Sequence, residues 1–208
     1  MSFVISAFQP FPSIHWWAAV AGAGTVIFDR AEHFQKMGTR NRYYIASANG
    51  QLTLSIPLEE GRDQRKAMSR IRICNKTNWQ VQHWRTITSA YRRAPFFEHY
   101  EHSLAPLFGT KYELLTDFNL DTVHWLKKQL KKDFDEVFAD EYRKNYPEAL
   151  YDLREKLKPP AATSPQYYQL FAGRHGFLPG LSMLDLLFSE GPHALQWIME
   201  NRESLLPV

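Results

Sequence analysis

The start of the chain follows a strand–helix–strand pattern, which constrains the fold more than any other feature of the sequence. Residues 3–8 form a short, partly β-branched apolar run typical of a buried strand, and residues 25–28 form a second. Between them, Ser13 is a suitable N-cap for a helix over 14–21, and Gly22 is a suitable end for that helix. Because the connection passes through a helix, the two strands are predicted to be parallel neighbours in one sheet.

A β-hairpin and several helices are predicted after this unit. Residues 42–47 and 51–57 flank Asn49-Gly50, a pair typical of a tight turn in which both residues take positive φ. Further strands are predicted over 71–74 and 134–138, and helices over 78–93, 98–108, 119–132 and 146–157. In the first of these helices the predicted buried stripe is Val81, Trp84, Ile87 and Tyr91. In the third, Lys127, Lys128, Lys131 and Lys132 are expected to be solvated.

Composition and length indicate a globular α/β protein whose second half is mainly helical. The 208 residues are 44% hydrophobic and 23% charged, and a chain of this size buries enough surface to fold without disulfides. Its single cysteine, Cys74, excludes a disulfide framework and a cysteine-rich zinc site. We expect an α/β core with a helical extension over 1–158. A Pro-rich linker and C-terminal helices that pack back on the core are expected over 159–208.

The N-terminal segment indicates neither export nor membrane insertion. No Lys, Arg, Asp or Glu precedes Asp29, so the basic start of a secretory signal is missing. The longest apolar stretch, over 16–28, has 13 residues and two glycines, which is too short to cross a bilayer. With a single cysteine as well, we expect a cytoplasmic protein.

Charge is unevenly distributed and favours an anionic partner. Between Arg30 and Arg93 there are 13 Lys and Arg against 4 Asp and Glu, a net charge of +9. The sequence has no zinc-finger spacing, basic zipper or RNP motif, so nucleic acid is not the expected partner. The charge pattern instead predicts a phosphorylated small molecule or an acidic carrier protein as the partner. The alternative is a solvated basic face, and the sequence does not predict the oligomeric state.

The densest polar segment follows the second predicted strand, at the sheet edge where open α/β sheets bind ligands. It runs from Asp29 to Arg42, and the Gln9-Pro10 turn after the first strand is expected beside it. We predict that Gln9, Asp29, His33, Lys36 and Arg42 converge on one crevice. Arginine provides a fork for phosphate or carboxylate, and a histidine beside an acid can act as a general base. The alternative is a solvated loop.

Other candidate residues have simple structural explanations. His83 shares a helix face with Trp79 and either points toward the crevice or packs on that indole. His15 is expected to be packed, His99 and His102 to form a surface pair, and Cys74 to be buried. Ser182 and Asp185 have the spacing of a helix capping box. Neither a metal nor a cofactor is expected.

A set of short motifs resembles the WbqC-like protein family. The N-terminal carriers are Gln9-Pro10 with Pro12, Thr25-Val-Ile-Phe-Asp29, His33-Phe-Gln-Lys36 and Arg40-Asn-Arg42. Further carriers are Asn49-Gly50, Leu54-Ser-Ile-Pro57, Trp79 with His83-Trp84, Tyr91 with Ala94-Pro-Phe-Phe97, Leu181-Ser-Met-Leu-Asp-Leu-Leu-Phe188 and Gly191. The resemblance covers 3–100 well and 166–191 in outline.

The resemblance implies a bacterial transferase that moves an acyl or aminoacyl group to an amino sugar during surface-polysaccharide synthesis, for example of O-antigen. The resemblance does not assign a catalytic base. We expect His33 or His83 in that role, with Asp29 as its orienting partner. The substrate would be an anionic small molecule, either a nucleotide sugar or a carrier-linked acyl group. It would be bound by Gln9, Lys36, Arg40, Asn41 and Arg42, with the three cations on its phosphates. The stretch before residue 182 is shorter here than in longer members. The alternative is therefore a non-catalytic binding or scaffold module that retains the fold.

Overall fold

The computed structural model describes residues 2–61, 63–154 and 165–206, and within them it has an α/β architecture. The strands are β1 (Phe3–Ser6), β2 (Thr25–Asp29), β3 (Arg42–Ser47), β4 (Gly50–Ser55), β5 (Asp135–Ala139) and β6 (Tyr151–Leu153). The helices are α1 (Ile14–Ala21), α2 (Trp79–Tyr91), α3 (Phe97–Gly109), α4 (Leu115–Leu130), α5 (Ala172–His175), α6 (Met183–Glu190), α7 (Ala194–Glu200) and α8 (Arg202–Leu205). Short 3₁₀ turns occupy Met68–Arg70 and Gly191–His193.

Strands β1, β2, β5 and β6 form a parallel sheet in the order β5-β2-β1-β6. The predicted β1-α1-β2 unit is confirmed, with Phe3 paired to Thr25. The Ser13 hydroxyl oxygen accepts from the Trp16 amide at 3.3 Å and caps α1 as predicted. Every residue of α1 is buried, so this helix lies inside the core and not on its surface.

The hairpin of β3 and β4 is confirmed, but its turn differs from the prediction. Ser47 pairs with Gly50, which places Ala48 and Asn49 at the bend. Gly50 has a φ of 100°, whereas Asn49 is not among the residues with positive φ. The prediction that both residues of the Asn49-Gly50 pair take positive φ is therefore wrong. Glycine occupies the position with positive φ, because it has no Cβ that would clash there.

The second half of the chain completes the sheet. Strand β5 confirms the strand predicted over 134–138. The helix predicted over 146–157 is wrong in its described part, because Tyr151–Leu153 is β6 and pairs with β1 from Val4 to Ser6. The remainder of that predicted helix, 155–157, lies outside the described residues. The strand predicted over 71–74 is reduced to isolated bridges, Leu58 with Ile73 and Arg72 with Leu114.

Helices α2, α3 and α4 confirm three predicted helices, with one face assigned wrongly. In α2 the buried residues are Trp79, His83, Ile87, Ala90 and Tyr91. Val81 is 44% exposed, so the predicted stripe was rotated from the true one. In α4 the expected solvation of Lys127 is also wrong, because its ammonium binds the Glu136 carboxylate at 2.7 Å.

The C-terminal helices pack on α1. The Ser182 hydroxyl accepts from the Leu184 amide at 3.2 Å and starts α6, and Gly191 ends it with a φ of 56°. The Arg202 guanidinium donates from Nε to the Ala18 carbonyl at 2.9 Å and so ties α8 to α1. The predicted linker over 159–165 lies, except for its last residue, outside the described residues. Among those described, no helix has the length and apolar character needed to cross a membrane.

Candidate functional site

A cavity opens at the carboxyl end of the parallel sheet, where the loop after β2 meets the loop between β5 and β6. Its volume is about 520 Å³. We call it the sheet-edge cavity, and its lining residues are Ala31, Glu32, His33, Gln35, Tyr142, Lys144, Asn145, Asp152 and Arg154. Open parallel sheets bind ligands at this edge, beside the point where the strand order reverses.

A buried ion pair lies next to this cavity, and one of its members, Arg154, lines it. Asp29 ends β2 and Arg154 follows β6, and Arg154 Nη1 donates to Asp29 Oδ2 at 3.0 Å across the end of β1, which lies between them. The other oxygen of Asp29 accepts from the Ala31 and Glu32 amides at 3.0 and 2.8 Å. Hydrogen bonds from Arg154 to Asp152 and to Asp29 raise the pKa of that guanidinium. Both carboxylate oxygens of Asp29 therefore already accept hydrogen bonds, one from the turn and one from Arg154.

A second ion pair lies beside the first. Arg40 binds Glu32 through two parallel bonds, Nε to Oε1 at 3.0 Å and Nη2 to Oε2 at 2.6 Å, and both side chains are 3% exposed. Arg40 Nη2 also donates to the Arg154 carbonyl at 3.0 Å, which connects the two pairs. Burial raises the pKa of Glu32, and the bonded Arg40 opposes that shift. The Arg40 guanidinium is thus used inside the protein.

His33 and Lys144 are two of the lining groups that remain available to a ligand. Both are exposed, and neither side chain makes a hydrogen bond or ion pair within the described ranges. Tyr142 is 60% exposed at the same cavity, and its ring lies 5.7 Å from the Arg154 guanidinium. The cavity therefore offers an imidazole, an ammonium group and an open aromatic face.

Gln9 and Arg42 line a separate, much smaller crevice. Its volume is about 20 Å³, and its lining residues are Gln9, Pro10, Phe11, Ser13, Thr39, Arg42, Tyr43, Tyr44 and Ser182. We call it the Gln9–Arg42 crevice. Phe11 has a φ of 41°, which is rare for a bulky residue, and its amide donates to Thr122 Oγ1 of α4 at 2.9 Å. Of the five residues predicted to converge, His33 lines the sheet-edge cavity and Gln9 and Arg42 line this crevice, while Asp29 and Lys36 line neither.

Lys36 and Asn41 line neither opening. The Lys36 ammonium lies 2.7 Å from Asp63 Oδ1, with both side chains largely exposed. Asn41 is buried, and its amide donates to the Ile56 carbonyl at 2.9 Å, which fixes the start of the hairpin. These two predicted binding residues have local partners of their own.

His83 lies in the aromatic core. Its ring packs edge-on against Trp79 with centroids 5.1 Å apart, and its Nδ1 lies 3.0 Å from the Tyr43 hydroxyl. Burial lowers the pKa of His83 to about 4, although a backbone hydrogen bond with Ser55 opposes the shift. Of the two alternatives for this residue, the structure shows packing on the indole.

Asp185 is the centre of a buried polar cluster that the sequence did not predict. It accepts from the Tyr91 hydroxyl at 2.7 Å, the Tyr167 hydroxyl at 2.6 Å and the Gln169 amide at 3.1 Å. Burial raises its pKa, and the three donors oppose that shift. The capping-box role expected for this side chain is wrong, because its carboxylate accepts hydrogen bonds from residues of α2 and of the segment before α5. Only the hydroxyl half of the predicted capping box, Ser182, is present.

A third opening lies at the end of α4. It has a volume of about 340 Å³ and is lined by His124, Lys127, Lys128, Lys131, Lys132 and Asp133. Hydrogen bonding to Glu136 raises the pKa of His124. Within the described ranges no three His, Cys, Asp or Glu side chains come close enough to hold a metal ion together.

Several lining residues escaped sequence reasoning. Tyr142, Lys144 and Asn145 lie in a loop before β6, and Asp152 and Arg154 lie at or after that strand. They fall in or next to the segment predicted as a helix, whose Glu and Lys content is typical of helices. The only signal for a strand was the three-residue run 151–153, which is too short to interpret without its partner β1.

Comparison with known proteins identifies one family. The model of the WbqC-like protein family matches residues 9–159. No curated protein and no solved structure matches the chain. The match covers both the loop after β2 and the loop before β6, which together line the sheet-edge cavity.

Proposed function

The chain belongs to the WbqC-like protein family, and on that premise we propose that it is a transferase that binds an anionic substrate in the sheet-edge cavity. The group transferred is an acyl or aminoacyl group, and its acceptor is the amine of an amino sugar used for bacterial surface polysaccharide. The donor or acceptor carries a phosphate, as a nucleotide sugar or a carrier-linked acyl group does.

One observation carries this proposal: the sheet-edge cavity combines an unpaired imidazole, His33, with an unpaired ammonium group, Lys144, among the described residues. The acidic side chains that line it, Glu32 and Asp152, are bound to Arg40 and Arg154. Negative charge is therefore compensated before a ligand arrives, and Lys144 remains to attract a phosphate.

The proposed chemistry is general-base-assisted acyl transfer. The sugar amine attacks the activated carbonyl carbon, so that a carbon–nitrogen bond forms and the bond to the leaving group breaks. His33 accepts the proton that the amine releases and returns it to the leaving group or to solvent. His83 is not favoured as the base, because its ring is buried and bonded to Tyr43. Asp29 acts through the loop it holds and not as a partner of the base.

Calorimetric titration with nucleotide sugars and acyl carriers, followed by an acyl-transfer assay with any pair that binds, tests the proposal. His33→Gln should retain binding and lower turnover about 100-fold or more, which is the usual contribution of a general base. Lys144→Gln should instead weaken binding of the phosphate-bearing ligand.

His102→Gln is the matched control, because that histidine is exposed on α3 and does not line the cavity. It should leave both binding and turnover unchanged. No binding of any phosphate-bearing ligand, or equal turnover in the wild type and His33→Gln, would refute the proposal.

A second candidate function is ligand binding without catalysis. It is favoured by the fact that Asp29, the expected orienting acid, is committed to Arg154, so that His33 has no carboxylate partner among the described residues. In this case calorimetry would detect binding, weakened in Lys144→Gln, but no turnover with any acceptor amine.

A further inference from the structure

We propose that the Gln9–Arg42 crevice is an oxyanion subsite, which accepts one oxygen of a carboxylate or phosphate group. It is distinct from the sheet-edge cavity, and it does not depend on the transferase reaction proposed above. The inference rests on two hydrogen-bond donors at the crevice that have no acceptor among the described residues, one of which, Arg42 Nε, is fully shielded from water.

Gln9 is the first such group. The residue is only 8% exposed, and its side chain makes no hydrogen bond to another described residue. Its amide is not among the side-chain groups that are fully shielded from water, so it remains accessible to a ligand at the crevice. Gln9 sits in the turn that contains the unusual φ of Phe11, and the Phe11 amide is held by Thr122 of α4. The backbone of the turn that carries Gln9 is thereby held in place.

Arg42 is the second group. Its Nε is buried and has no hydrogen-bond partner, and its guanidinium forms no ion pair with a described carboxylate. Arg40, two residues before it, has both Glu32 oxygens as partners. The contrast within one short segment shows that the protein neutralises one arginine internally and leaves the other for an external acceptor.

The rest of the lining supports an anion in preference to a cation. Ser13 and Ser182 accept helix amides through their oxygens, which leaves each hydroxyl hydrogen free to donate. Helices α1 and α6 both begin at these serines, so the positive ends of two helix dipoles meet here. No Asp or Glu lines the crevice. Its volume of about 20 Å³ suits a single oxygen atom, so the remainder of the anion would lie outside.

The test follows the Nε–H signal of Arg42 in ¹H–¹⁵N NMR spectra of the full chain, assigned by its loss in Arg42→Lys. Inorganic phosphate and acetate are titrated in separate arms, with sodium chloride of equal ionic strength as the reference. We expect a saturable shift with at least one of the two, and the stronger arm identifies the class of oxyanion. No saturable shift with either anion would overturn the proposal, without any variant being needed.

Two variants make the test specific. Gln9→Leu, close in size but without a donor, should weaken the anion about tenfold or more, as expected for a lost hydrogen bond to a charged group. His33→Gln should leave the affinity within about twofold, because His33 lines the other cavity. Unchanged affinity in Gln9→Leu would contradict the proposal. A normal titration together with an inactive transferase would reject the proposed function alone.

Discussion

At the scale of single residues, the charged side chains of the Asp29–Arg42 segment differ in whether they form ion pairs, and their spacing in the sequence does not predict which ones do. Asp29 and Arg40 form ion pairs with the buried residues Arg154 and Glu32. Lys36 lies beside Asp63, whereas the His33 side chain is exposed to solvent. A charge-rich segment can therefore contain both the support of a site and its ligand-facing groups. Which is which depends on partners supplied by other parts of the chain.

His83 leads to a prediction about stability and pH. Its pKa of about 4 in the folded protein lies below the ordinary value of 6.5, so the unfolded chain binds the proton more readily. The stabilising contribution is complete above pH 6.5 and is lost as pH falls from 6.5 towards 4. Between pH 7 and 5 the free energy of unfolding should fall by about 2 kcal/mol from this residue alone.

His83→Gln checks this prediction, because glutamine can still accept from the Tyr43 hydroxyl but does not titrate. Urea unfolding at pH 7 and pH 5 should show a smaller loss in the variant. The residual loss would include His15, whose pKa is also lowered by burial. Identical losses in the wild type and the variant would show that His83 does not titrate in this range.

At the scale of elements, the sequence predicted where helices occur more accurately than where they end. Helix α4 was expected to continue to residue 132 but ends at Leu130, and Lys131 takes a φ of 52°. A left-handed residue lets its amide bond back to the last turn, here to the Lys127 and Lys128 carbonyls. Glycine is the usual residue at this position, so the sequence carried no signal for the stop.

Replacing Lys131 with glycine should stabilise the protein. The side chain is exposed, and a non-glycine residue in the left-handed region is strained by its Cβ. We expect Lys131→Gly to raise the free energy of unfolding by about 0.5–1 kcal/mol, measured by urea denaturation.

Lys128→Gly is the matched control for that substitution, because it removes the same charge from within the last turn of α4. It should lower stability by about 1 kcal/mol, the cost of glycine inside a helix. If both variants were destabilised equally, the left-handed cap would not be a source of strain.

At the scale of the whole molecule, long-range pairs close the sheet. Strand β6 joins the sheet beside β1, and the Arg154–Asp29 ion pair spans the end of β1 from one side to the other. Both side chains are buried, 7% and 0% exposed. A buried charge that loses its partner is strongly destabilising, whereas removing both charges together is much less so.

Arg154→Met should therefore lower the free energy of unfolding by about 3–5 kcal/mol. Asp29→Asn keeps an oxygen for the Ala31 and Glu32 amides but removes the charge. The double variant should lose less than the sum of the two single variants, by at least about 1 kcal/mol in urea denaturation. Strict additivity would mean that the two groups are not coupled.

Long-range contacts also explain why the capping role predicted for Asp185 is wrong. Its spacing from Ser182 fits a capping box, and the hydroxyl does cap α6. The carboxylate instead accepts from Tyr91, far along the chain in α2, and from Tyr167. Local spacing describes what a side chain can reach within its helix, while burial against two tyrosines decided what it does.

Local patterns along the chain were enough to predict the β1-α1-β2 unit, the hairpin, helices α2 to α4 and the serine caps, because each depends on residues that are neighbours in the sequence. Tertiary structure alone decided that residues 151–153 form a strand, since only pairing with β1 stabilises so short a run. It also decided that Gln9 and Arg42 line one opening while His33 lines another. The physical reason is that charge pairing and burial depend on distance in space, which local patterning does not encode.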